Sequence, residues 1–225
     1  MDDRQFSPLF EKTFPFWSQL GKADKEALLR ASHQVRFKKG ASIHDGNDCT
    51  GVILIRSGSL RMYLPSEGSR EVTLSRLFAG DICMLSASCV LKSITFDILA
   101  EAEEESDCII IDGGTYEEIA RRVTEVRLFT YETALSRFSD VMWVMQQLLF
   151  MSMDKRLAIF LLDETAKTGS DTVRLTHEQI AKYIGSAREV VSRMLKHFTS
   201  EGLILSSRSE GIRITDKKRL RELTL

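Results

Sequence analysis

Apolar and polar positions follow three successive patterns along this chain. From Arg36 to Asp112, short apolar runs (GVILIRSG, SLRMYL, REVTLSRLF, SITFDILAEA, CIIID) are separated by polar turns at intervals of about 8 to 12 residues. Gly58 in RSGS and Gly68 in SEGS stand where tight hairpins need them, so the spacing predicts an antiparallel barrel or jelly roll. Thr124 to Met153 then contains no Gly or Pro, and Leu128, Tyr131, Leu135, Phe138, Met142, Met145 and Leu149 follow at alternating steps of three and four. That is an a/d heptad seam on one long helix, which packs either on the chain's own barrel or on a second copy. A parallel homodimer is the favoured reading.

The third pattern is a series of short amphipathic helices. DKRLAIFLLDETAKTG reads as a helix stopped at Gly169, and LTHEQIAKYIGSAREVVSRMLKHFTSEGLI as two helices turning at Gly185. Thr176 with Gln179 forms a capping box, and Ser186 with Glu189 could form another. LILSSRSEGIRITD closes the region as a hairpin around Glu210 and Gly211, followed by the basic KKRLREL. Helix, turn, helix and hairpin is the outline of a winged helix-turn-helix. In GSAREVVSRMLK, Arg188, Glu189, Ser192, Arg193 and Lys196 share one face of the second helix. Val190, Val191, Met194, Leu195 and Phe198 share the other. A solvated face would give the same spacing. In a major groove, however, Arg can grip guanine through two acceptors and Glu can accept from the cytosine amino group. Arg188, Glu189, Ser192 and Arg193 are therefore candidate base readers. Lys196, with Thr176, His177 and Ser186 at the helix starts, makes a candidate set of phosphate contacts.

The resulting expectation is an α+β chain of three parts. These are a jelly-roll effector domain over 1–123, a dimerisation helix over 124–153 and a winged helix-turn-helix over 154–225. Charge distribution agrees with that division. Residues 154–225 carry 14 Lys and Arg against 10 Asp and Glu, a net +4, whereas 1–153 carry 17 against 22, a net −5. Only the C-terminal part suits a polyanion. The opening MDDRQFSPLFEKTF has no cationic start followed by an apolar run, and no segment approaches 18 uninterrupted apolar residues, so a cytoplasmic protein is expected.

In such a protein the four cysteines, Cys49, Cys83, Cys89 and Cys108, read as free thiols or ligands rather than a disulfide framework, with Cys49 and Cys108 in apolar strand contexts. Their spacings of 33, 5 and 18 intervening residues lack the C-x2-C signature of iron–sulfur clusters, although a redox-active Cys83/Cys89 pair stays open. His33, His44, His177 and His197 show no metal-ligand spacing, and EAEEESD at 101–107 reads most simply as a solvated turn.

Taken together, LTHEQIAKYIGSAREVVSRMLKHFTSEGLI and the barrel segments DGNDCTGVILIRSGSLRMYL and FAGDI resemble the Crp/Fnr bacterial transcription regulators, from about residue 10 to 215. The resemblance implies a homodimer bound to double-stranded DNA at a palindromic site, with RNA polymerase as a further partner. Catabolite-activator-type members have an Arg and Glu matching Arg188 and Glu189. Fnr-type members have Glu-x-x-Ser-Arg matching Glu189, Ser192 and Arg193. This chain carries both sets, implying a G-A core in each half-site.

The resemblance also places an effector pocket at Gly80, Asp81, Ile82, Cys83, Ser86, Ala87, Ser88 and Cys89, with Val141 and Met142 from the long helix. Cyclic-AMP-binding members present an Arg-Ser pair to the phosphate there. GDICMLSASCVLKS has no Arg, Lys92 being its one cation, and neither Val141 nor Met142 can hydrogen-bond a base through its side chain. The expected effector is thus a small molecule other than cyclic AMP, held in a smaller or more apolar pocket. It is preferred to an iron–sulfur cluster, because Fnr-type redox members carry an N-terminal cysteine group and residues 1–48 contain no cysteine, and it is preferred to haem as well.

Three other readings compete. One is a redox or gas sensor of the same family, using the cysteines or a metal. Another is a cupin-like enzyme, for which the barrel offers a single histidine, His44. The last is a regulatory module that docks on a protein.

Overall fold

The computed structural model describes residues 6–45, 49–65, 71–84, 98–207 and 209–225. It divides into two compact units, Met1–Leu64 with Leu74–Val141, and Pro65–Thr73 with Met142–Leu225.

In the first unit, helices α1 (Ser7–Thr13) and α2 (Lys22–Arg30) precede strands β1 (Ser32–Phe37), β2 (Ser42–His44), β3 (Val52–Ser57) and β4 (Ser59–Pro65). After them come β5 (Glu71–Phe78), β6 (Ile82–Cys83), β7 (Leu99–Ala102) and β8 (Ser106–Ile111). Two four-stranded sheets result, in the orders β1-β8-β3-β6 and β2-β7-β4-β5. Gly58, at φ +85°, makes the β3–β4 turn so close to Ser106 that a Cβ would lie 2.3 Å from its hydroxyl oxygen. The Gly68 turn and the SITFD part of the next strand lie outside the described residues.

The unbroken apolar runs VILI and CIII have a direct physical cause, because β3 and β8 are covered on both faces. Ile53, Ile55, Cys108 and Ile110 point between the sheets onto Leu60, Met62 and Ala100. Val52, Leu54, Ile109 and Ile111 point the other way, into a helical layer built from Phe10, Phe14, Phe16, Trp17, Leu28 and Tyr116.

EAEEESD is not a solvated turn. It spans the end of β7, the connection and the start of β8, and four of its carboxylates, all but the exposed Glu105, have partners among the described residues. Glu101 lies 2.9 Å from the buried Arg61, opposite it across β4 and β7. Glu103 meets Arg76 at 2.8 Å, Glu104 accepts from the Ser59 hydroxyl, and Asp107 meets Arg56 at 3.3 Å. Glu101 faces Arg61 across the ladder, whereas Arg76, which meets Glu103 just past β7, comes from β5 on the far side of β4.

Helix α3 (Gly113–Arg122) is capped by Asp112, whose carboxylate accepts from the Thr115 amide. Helix α4 follows, running Thr124–Phe150 rather than to 153; Ser152, in extended conformation, then starts a new helix, α5 (Met153–Thr168). On α4, Val126 and Thr130 are buried, and the Thr130 hydroxyl lies 3.1 Å from the Tyr116 hydroxyl. The seven seam residues are all 45–66% exposed on the single chain.

In the second unit, α5 ends at Gly169 in the left-handed conformation, as its sequence predicts. Strand β9 (Thr172–Val173), helices α6 (His177–Tyr183) and α7 (Arg188–Ser200), strands β10 (Ile204–Ser207) and β11 (Gly211–Ile214), and helix α8 (Lys217–Glu222) complete it. The three strands pair in the order β10-β11-β9, so the predicted hairpin gains a third strand. Leu157, Leu161, Ile180, Ile184, Val191, Leu195, Phe198 and Leu220 are among the side chains that close one core under both short helices.

Candidate nucleic-acid interface

The two short helices are held by local chemistry. Thr176 caps α6: its hydroxyl accepts from the Gln179 amide at 3.1 Å, while the Gln179 side chain accepts from the Thr176 amide at 2.9 Å. The chain then reverses at Gly185, at φ +59°. The second predicted box does not form. Helix α7 starts at Arg188 behind Ala187, with no side-chain cap, because the Ser186 amide is already bound to Ala181 O at 2.9 Å. Glu189 therefore sits in the first turn, where a negative charge suits the helix dipole.

One residue that sequence reasoning missed anchors this turn. Arg156 on α5 donates through Nη2 to the carbonyls of Ile184 and Gly185, tying the turn to the unit's core. An Arg in an ordinary amphipathic helix gives no sequence signal for that role.

On α7, Val191, Leu195 and Phe198 are buried, Val190 and Met194 half-buried, and Arg188, Glu189, Arg193 and Lys196 exposed. Ser192 lies between the two faces. Its hydroxyl is 2.8 Å from His177 Nδ1, which joins α6 to α7. Burial, and secondarily the Arg188 charge, hold the His177 pKa below its ordinary value. Thr176 and His177 also line a groove of about 430 Å³ whose other wall is Ser206, Ser207, Ser209 and Glu210 on and beside the β-hairpin. The structure thus gathers Thr176, His177, Arg188, Glu189, Ser192, Arg193 and Lys196 around one surface, with Ser186 half-buried in the turn.

The predicted effector residues in the first unit divide differently. Gly80, at φ +95°, and Asp81 are turn formers: the Asp81 carboxylate accepts from the Phe78 amide at 2.8 Å. Ile82 packs in the helical layer, and Cys83 faces the sheet interior, its thiol 3.6 Å from Met62 Sδ. Val141 packs against the same interior, and Met142 is 45% exposed. Ser86, Ala87, Ser88, Cys89 and Lys92 lie outside the described residues.

Cys83 and Cys108 are buried thiols outside any disulfide. Burial, then Asp107 and Cys83, push the Cys108 thiol up to about 12, so it is inert at neutral pH. Cys49 corrects its sequence reading twice, being exposed outside any strand and disulfide-bonded. Iodoacetamide should therefore modify Cys49 only after reduction, as read by peptide mass; labelling before reduction would show a free thiol.

Among the described residues no helix is long and apolar enough to cross a membrane, and no three His, Cys, Asp or Glu side chains gather as a metal site would need.

Comparison with known proteins bears on this surface. A model of the Crp-like helix-turn-helix domain matches residues 155–223. The crystal structure of a protein assigned as a Crp/Fnr-family transcriptional regulator from Eubacterium rectale superposes with a TM-score of 0.89. It is 45% identical and covers 95% of this chain and 99% of its own. The cAMP-activated global transcriptional regulator Vfr of Pseudomonas aeruginosa is 23% identical over 80% of this chain and 88% of its own. The anaerobic regulatory protein of Haemophilus influenzae is 26% identical over 85% and 73%. With a helix-turn-helix held as described and a relative this similar along nearly its whole length, the chain belongs to the Crp/Fnr family of DNA-binding transcription regulators and is not an enzyme.

Proposed function

We propose that the protein acts in the cytoplasm as a homodimer joined along α4, reads a palindromic DNA site with α7, and is controlled by a small molecule in its jelly-roll domain. The observation that carries this reading is the division of α7. Its apolar face is consumed by the unit's own core, leaving Arg188, Glu189 and Arg193 outward beside Ser192. Thr176, His177, Ser186 and Lys196 are proposed as the contacts to the sugar-phosphate backbone. On this reading Arg193 and Arg188 grip guanine, Glu189 accepts from a cytosine amino group, and each half-site has a G-A core. The exposed α4 seam supplies the second copy and hence the palindrome. RNA polymerase is the further partner that transcription activation would need.

Salt titration tests the DNA-binding mode. About four phosphate contacts per protomer should give a log–log slope of roughly −7 for the dimer. A slope near zero would instead favour a module that docks on proteins.

A small apolar-pocket ligand is proposed as the effector in place of cyclic AMP. Gly80 and Asp81 serve the turn with their own backbone and side chain, Cys83 points at a thioether, and Val141 offers only hydrocarbon. Calorimetric titration with cyclic AMP is expected to show no saturable heat; a tight isotherm would overturn that choice.

A further inference from the structure

A serine hydroxyl on a reading helix is ambiguous, since it can donate to a base carbonyl or accept from a base amino group. Here it is not left to choose. We propose that His177 is a positioning residue that sets the hydrogen-bond sense of Ser192, so that the reading helix presents an acceptor at that position and selects a base with an exposed amino group. The inference rests on the assignment of α7 as the DNA-reading helix.

The geometry is a 2.8 Å contact from the first residue of α6 to the second turn of α7, linking residues 15 apart in sequence. The charged groups around the ring are Arg188 on α7 and Glu178 beside it on α6, with Arg174 and Glu210 lining the same groove. Burial and the Arg188 cation keep the ring neutral at neutral pH, so one ring nitrogen carries a proton and the other accepts.

His177 also lines the groove that a backbone phosphate would enter. A phosphate oxygen is an acceptor only, so it selects the tautomer with the proton on Nε2. Nδ1 then has no proton and accepts the Ser192 O–H, and the lone pairs of Oγ turn to the DNA. Their partner is an amino group, adenine N6 or cytosine N4. One imidazole would thus couple a sequence-neutral phosphate contact to the sense of a base contact.

The test uses the full-length protein and duplexes carrying each of the four bases at the half-site position where Ser192→Ala loses discrimination. Wild type is expected to favour the amino-bearing bases by about tenfold per half-site. His177→Phe, which keeps a flat ring without nitrogen, should reduce that preference to within about twofold while other positions are read as before. In the Ser192→Ala background, His177→Phe should change no discrimination further. A His177→Phe protein that keeps the preference and loses affinity equally for all sequences would overturn the proposal, because His177 would then be a phosphate contact alone.

Should the Phe variant fold poorly, 15N NMR of the His177 ring in the wild-type complex gives the same answer. An unprotonated Nδ1 with protonated Nε2 supports the proposal, and a protonated Nδ1 overturns it. Wild-type protein with no base preference at any position would instead sink the reading-helix assignment itself.

Discussion

Arg193→Ala is expected to remove most of the protein's preference for its specific site while leaving the fold intact. The side chain is exposed on α7, on the face away from the buried Val191, Leu195 and Phe198 stripe, so truncation opens no cavity. A bidentate arginine–guanine contact contributes about 1–3 kcal/mol of discrimination, and a dimer on a palindrome makes it twice. Specific affinity should therefore fall by roughly 30-fold to 10⁴-fold, towards that for random DNA. Non-specific binding should change little, since the charge lost is one of several. Fluorescence anisotropy with specific and scrambled duplexes reads both quantities. Undiminished discrimination would mean that α7 reads its site without this residue.

A comparable loss is expected from the long helix. Leu135→Glu places a charge in the middle of the exposed α4 seam, where Leu128, Tyr131, Phe138, Met142, Met145 and Leu149 offer an apolar strip along one helix face, the kind of surface that marks an interface. None of these residues is buried in the single chain, so the variant should still fold as a protomer, with a thermal midpoint lowered only by the lost association. It should nonetheless sediment as a monomer. A monomer reads one half-site, and the loss of the linked second contact should cost about 10²- to 10⁴-fold in site affinity. A Leu135→Glu protein that remains dimeric would place the dimer contact elsewhere, for instance at the neighbouring exposed Trp143 and Phe150, which the heptad pattern does not select.

Much of this was legible in the sequence because it rests on short-range rules. The Thr176–Gln179 box, the left-handed Gly169 and the two faces of α7 each depend on spacings of four residues or so, and each stands where its pattern puts it. What was missed depends on long-range pairing. Nothing in EAEEESD announces that Glu101 will lie opposite Arg61, 40 residues away, or that Glu103 will meet Arg76. The Ser186–Glu189 motif was a correct local signal with the wrong outcome, since the Ser186 amide is taken by the preceding helix and α7 starts one residue later than the motif requires. Arg156 could not be found from its own segment, because its partners are backbone carbonyls 28 and 29 residues on. Cys49 reads as a small strand hydrophobe but lies exposed and disulfide-bonded, a property fixed by the path of the chain rather than by its neighbours.

The decisive measurement is selection of bound duplexes from a random-sequence pool by the purified full-length protein, followed by sequencing. Enrichment of an inverted repeat with a G-A core in each half, the half-site centres one helical turn or about 34 Å apart, is the expected result. A pool that stays random, or one that converges on a single unpaired half-site, would refute a dimer reading DNA through two copies of α7.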